Sequence, residues 1–124
     1  MTLLNEGKNL YLRQGDTGNV SYKGLPQDKL YTVYHSIYDP DTYKILGEIQ
    51  GTYTQATGVV IFTFDTTYTD SLPVGEWEYG LKICASDGTE DTILPRAYTN
   101  EQGELVREAA PTFTVWEKVT EGAE

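Results

Sequence analysis

The chain has 124 residues and a formal net charge of -10 at pH 7, with nine Lys and Arg against nineteen Asp and Glu. That balance argues against nucleic-acid binding through phosphates and against anionic membrane surfaces. The single cysteine excludes an internal disulfide and a cysteine-based metal site.

A chain of this length predicts one domain over residues 1–124, with room for one real core. Ten tyrosines and twelve glycines, and the lack of any long 3.6-residue apolar repeat, favour strands and turns over helices. The opening MTLLNEGKNL has no basic flank and no apolar run long enough for a secretion signal or a membrane span.

Lys8–Gln14 alternates weakly, with Leu10 and Leu12 on one side, and Gly15–Asn19 is a turn cluster. Val20 and Tyr22 continue as a short strand. An apolar edge strand broken by a glycine-rich kink lets the chain pair first with one sheet and then with the other. Lys29–Tyr38 predicts a long strand with Tyr31, Val33, His35 and Ile37 on one face and Leu30, Thr32, Tyr34, Ser36 and Tyr38 on the other. Aromatics on both faces suggest a central strand, one face in the core and the other a tyrosine-lined surface or contact. His35 has no second histidine or paired carboxylate at matching spacing. It reads as a partly buried histidine bonded to a neighbour rather than a ligand or proton shuttle.

Asp39-Pro40-Asp41-Thr42 is a tight turn, with too few oxygens for calcium and no EF-hand spacing. In Tyr43–Gln50, Ile45, Gly47 and Ile49 alternate against Lys44, Leu46 and Glu48. Val60, Phe62 and Phe64 alternate with Ile61, Thr63 and Asp65. Leu72-Pro73-Val74-Gly75 is expected to form a type I turn. Trp77, Tyr79, Leu81 and Ile83 then alternate with Glu76, Glu78, Gly80 and Lys82 in the cleanest strand of the sequence. Trp77 is the expected major core aromatic. Ser86-Asp87-Gly88-Thr89 is a hairpin turn and Thr92-Ile93-Leu94 a return strand.

The connection Pro95–Pro111 is seventeen residues long, more than closing a sandwich needs. Its centre, Asn100-Glu101-Gln102-Gly103, predicts a protruding hairpin with Gly103 in the left-handed region. Arg96, Tyr98, Leu105 and Arg107 on this hairpin are the candidate partner contacts, because loops carry function and Tyr and Arg are enriched at binding hot spots. The final strand, 112–116, points Phe113 and Val115 inward and Thr112, Thr114 and Trp116 outward; 118–124 is a polar tail. Seven or eight short strands define an all-β, immunoglobulin-like antiparallel sandwich with essentially no helix, held by Trp77, Tyr79, Leu81, Ile83, Phe62 and Phe113.

Several of these pieces together resemble a family. Gln14-Gly15-Asp16-Thr17, Asp65-Thr66, Leu72-Pro73, Gly75, Trp77, Tyr79, Leu81, Asp87-Gly88, Thr92-Ile93-Leu94 and Pro111-Thr112-Phe113-Thr114-Val115 resemble small β-sandwich modules of tailed bacteriophages and prophages. The nearest is the N-terminal module of upper baseplate proteins. The long connection after Leu94 departs from that pattern, as does the lack of a fibre-forming or receptor-binding region. The resemblance implies a structural role in a virion, after synthesis in a host cytoplasm. The partners it implies are other virion proteins or further copies of this chain.

No catalytic constellation stands beside this reading. Acidic residues fall on turns and solvent faces, where a glycosidase would need two carboxylates across a cleft, and Cys84 has no histidine on its strand. No cofactor is expected. The competing reading is a carbohydrate- or cell-surface-binding module, in which Trp116 and the tyrosines stack on a glycan.

Overall fold

The computed structural model describes residues 9–95, 97–107 and 109–118. Eleven strands and one short helix follow in order: β1 (Leu10–Arg13), β2 (Gly18–Tyr22), β3 (Tyr31–Tyr38), β4 (Ile45–Gln50), β5 (Thr52–Thr54), β6 (Val59–Phe64), α1 (Thr66–Asp70), β7 (Gly75–Ala85), β8 (Glu90–Leu94), β9 (Ala97–Thr99), β10 (Leu105–Arg107) and β11 (Thr112–Trp116). A six-stranded sheet runs β1-β11-β7-β3-β4 with β8 also on β7, and a three-stranded sheet runs β2-β6-β5. The strand pairs are antiparallel except β1 with β11. The fold is an all-β sandwich, as the alternation predicts.

Four connections cross between the sheets, and two of them are short kinks in a nearly continuous strand. β1 lies in the large sheet and β2 in the small one, with Gly15 at φ 81 in the kink between them. β4 and β5 make the same exchange through Gly51. An ideal Cβ at Gly51 would come within 2.5 Å of Val60 Cγ2 and 2.8 Å of Phe62 Cε1, so only glycine lets the strand bend this close to the small sheet.

The core is the space between the two inner faces. Val20, Tyr22, Val60, Phe62 and Phe64 of the small sheet meet Val33, Ile37, Tyr79, Leu81, Ile83, Phe113 and Val115 of the large one. One hydrogen bond spans it, from the Tyr22 hydroxyl to the Tyr79 hydroxyl at 2.9 Å. Burial, then the neighbouring Tyr79, pushes the Tyr22 phenol far above its ordinary range.

Three local expectations need correction. Trp77 is only partly buried and packs against the edge of the core; Tyr79, wholly buried, takes the central place. The Trp77 indole N–H instead donates to the Pro73 carbonyl at 2.8 Å, tying the strand back to its own corner. His35 is not partly exposed and bonded. It is fully buried, and neither ring nitrogen has a hydrogen-bond partner among the described residues. Its ring stacks on Tyr79 at 4.6 Å and is edged by Phe62, Phe64 and Phe113. Desolvation pushes its pKa down to about 3, opposed less strongly by its own backbone.

One short helix, α1, precedes the Leu72–Gly75 corner. Asp65 caps α1 by accepting from the Tyr68 N–H at 2.8 Å, and Thr69 and Leu72 are buried beneath it. Finally, the alternation of β4 is broken. The pairing slips between Ile37 and Tyr38, so that Ile37 faces Gly47 but Tyr38 faces Ile45. The extra residue, Leu46, is a bulge, and it turns Ile45 to the outer face, where it is 52% exposed.

Candidate functional site

Two surfaces stand out once the core is accounted for: the β9–β10 hairpin and the outer face of the six-stranded sheet. The hairpin forms a two-stranded sheet of its own and pairs with neither layer. Its register sets Leu105 against Thr99, Val106 against Tyr98 and Arg107 against Ala97. Its tip closes as expected, with Gly103 at φ 80, the Asn100 N–H donating to the Glu104 carbonyl at 2.9 Å and the Gly103 N–H to the Asn100 carbonyl at 3.0 Å. The Asn100 side chain accepts from the Gln102 and Glu104 N–H groups. Of the predicted contact residues, Leu105 is exposed on the hairpin; Tyr98 and Arg107 hold paired backbone positions in its two strands. Arg96 lies outside the described residues.

The second surface was legible only in part. The outward residues of β3, Tyr34, Ser36 and Tyr38, lie across from Lys82, Gly80 and Glu78 of β7 and from Gln50, Glu48 and Ile45 of β4. The β3–β4 turn adds Tyr43. Asp39 shapes this turn: its carboxylate accepts from the Asp41 N–H at 2.9 Å, and its carbonyl accepts from the Tyr43 N–H at 2.7 Å. Tyr43 sits at φ 60 and is 74% exposed, its ring stacked with Tyr38 at 6.0 Å and 25°. A groove of about 310 Å³ opens beside this pair, bounded by Ser36, Gly80, Lys82, Thr92, Leu94 and Pro95.

The groove is polar at its rim and acidic around it. The Ser36 hydroxyl donates to Glu48 at 2.6 Å, and Lys82 pairs with Glu90. Partial burial, then the charge of Glu78 and a hydrogen bond to it, pushes the Tyr38 phenol up to about 12. At the far side of the same sheet face, Tyr11 stacks on Trp116 at 5.5 Å, with the Arg13 guanidinium 5.5 Å from the Trp116 ring.

No group of three or more metal-ligating side chains converges among the described residues, and no helix there is long and apolar enough to cross a membrane. Cys84 is a partly buried free thiol on the outer side of β7, across from Thr32. His35 is sealed among aromatic rings, away from either surface. The class defined by fold and surface is an all-β sandwich with an added hairpin and an aromatic outer groove. No protein-family model matches the sequence, and no curated protein matches it either.

Proposed function

We propose that this chain is a non-enzymatic structural module that acts by protein–protein assembly, in the manner of a tail or baseplate component of a bacteriophage virion. Its partners are other virion proteins or further copies of itself. One observation carries the assembly role: the β9–β10 hairpin belongs to neither sheet of the sandwich. A two-stranded hairpin standing alone in water is marginal, so a chain that keeps one ordered gains from docking it. Both outer strand edges of the hairpin are free of the two sheets, and Leu105, 68% exposed, offers an apolar anchor. The virion context rests on the sequence resemblance, with which the sandwich fold agrees.

The test replaces residues 97–109 with a short Gly-Ser linker. β8 and β11 keep their pairing with β7 without the hairpin, so the variant should fold and melt cooperatively. Light scattering at micromolar concentration should find the wild-type chain oligomeric and the variant monomeric. A monomeric wild-type chain, or a variant that assembles as well as wild type, would overturn the reading.

A further inference from the structure

The conformation of Tyr43 is unexpected for its residue type. At φ 60 the backbone is left-handed, a region that Gly or Asn enters cheaply and a bulky side chain enters at a cost. The β3–β4 turn needs that conformation, but nothing about the turn needs a tyrosine. The side chain is not spent on the core either, since it is 74% exposed. What it does is lie almost parallel to Tyr38 at the mouth of the groove. Strain accepted in order to display an aromatic ring points to a surface that is used.

Three further features define what would use it. Because the two rings stack on each other, the apolar surface offered to solvent is that of the exposed Tyr43, with Ile45 nearby. The lining opposite supplies hydroxyl and ammonium groups from Ser36, Thr92 and Lys82, with the Glu48 carboxylate behind Ser36 as the acceptor of its hydroxyl. Finally, the volume of about 310 Å³ is at the small end of the range for small-molecule sites.

We propose that this groove binds a neutral saccharide, one sugar ring resting its C–H face on Tyr43, which Tyr38 braces from behind, while its hydroxyls bond to the polar lining. A pyranose has both an apolar face and a fringe of groups that donate and accept, which matches an exposed aromatic ring set beside hydroxyl and ammonium groups. Charge narrows the class. Glu48, Glu78 and Glu90 lie next to the lining residues Ser36, Tyr38 and Lys82, and Lys82, the cation in the described lining, is already paired with Glu90. Sialylated, uronic or phosphorylated sugars would meet uncompensated negative charge, whereas neutral hydroxyls donate to carboxylates readily.

The site does not depend on the assembly role of the hairpin, and the two are tested separately. The full-length chain is titrated calorimetrically with cellohexaose, chitohexaose, maltohexaose and mannohexaose, and with oligogalacturonate and an oligosialic acid as anionic controls. Saturation-transfer NMR reports which ring protons touch sugar. At least one neutral hexasaccharide should bind with transfer from tyrosine rings, and the anionic controls should bind at least tenfold more weakly. Tyr43→Gly should lose at least tenfold in affinity while melting at or above the wild-type temperature, because glycine relieves the left-handed backbone. Tyr43→Asn, which also tolerates that conformation, gives the same readout should the glycine variant prove unstable. Assembly of Tyr43→Gly should be unchanged, and the hairpin-replaced chain should keep its sugar affinity. Failure of all four neutral sugars to bind would overturn the proposal. So would binding that survives the loss of Tyr43, or equal affinity for the anionic controls.

Discussion

The two sheets turn very different faces to solvent. The outer face of the small sheet carries Asn19 and Ser21 on β2, Val59, Ile61 and Thr63 on β6, and Thr52 and Thr54 on β5, none of them aromatic. The outer face of the large sheet carries Tyr34, Tyr38 and Ile45 near its β4 edge and Tyr11 and Trp116 near its β1 edge, and Tyr43 sits on the turn above it. Both faces are built from strands, and both could have used either kind of residue. Aromatic side chains are good strand formers, but so is threonine. Strand propensity therefore does not explain why the aromatics gather on one side. Threonine makes a face that is solvated and inert, while stacked tyrosines keep apolar area in water at a cost and invite contact. The difference locates the working surface on the large sheet.

The largest effect should come from the inner side of that sheet, which sets the scale for everything outside it. Tyr79→Ala removes the ring stacked on His35 and leaves the Tyr22 hydroxyl without its partner, so it should cost about 3–5 kcal/mol in urea denaturation. Trp116→Ala, on the outer face, should cost less than about 1 kcal/mol. An equal loss at both positions would mean the outer aromatics are structural, and the comparison would collapse.

A second measurement probes the inner face by pH. His35 has its pKa lowered to about 3 in the folded protein against an ordinary value of 6.5. The unfolded chain therefore takes up the proton first. Stability is whole above pH 6.5 and falls as pH drops from there toward 3, by about 1.4 kcal/mol per unit. Unfolding free energies from urea denaturation at pH 7 and pH 5 should differ by about 2 kcal/mol in wild type, and the difference should vanish in His35→Phe. A pH dependence that persists in the variant would assign the effect to carboxylates.

Gly51→Ala tests the crossing that separates the two faces. A methyl group there meets Val60 and Phe62 well inside van der Waals distance, and overpacking of this kind costs about 1–3 kcal/mol. Gly88→Ala, at the tip of the β7–β8 hairpin, has open space around it and should cost only what its φ of 91 demands. If melting shows Gly51→Ala to be the milder of the two, the crossing is looser than described. The smallest effect sharpens the comparison most directly. Ile61→Thr and Ile45→Thr should each change stability by about 0.5 kcal/mol or less. Only the second should weaken saccharide binding, as read by the same titration. A response from Ile61→Thr would move the working surface to the small sheet.

The period-2 alternation of Val60–Phe64, Trp77–Ile83 and Tyr31–Ile37 determined by itself which side of each strand meets the core, because a strand's side chains alternate whatever its neighbours are. The tip of the hairpin at Gly103 and the Asp39 turn were equally local, fixed by residues that bond their own backbone. Tertiary structure decided the rest. The bulge at Leu46 depends on how β4 lies against β3, and it moved Ile45 off the face that alternation shared with Gly47 and Ile49 and onto the outer one. The caged state of His35 depends on aromatic rings from β6, β7 and β11 closing around it. Trp77 lost its central place because it stands at the end of β7, where the core thins, a position that alternation cannot register. The groove itself is made by β3, β7, β8 and the turn holding Tyr43, segments from Ser36 to Pro95 that are far apart in the chain. A ligand site of that kind has no local signature. Its tyrosines read as ordinary strand residues until the pairing of the sheet brings them to one rim.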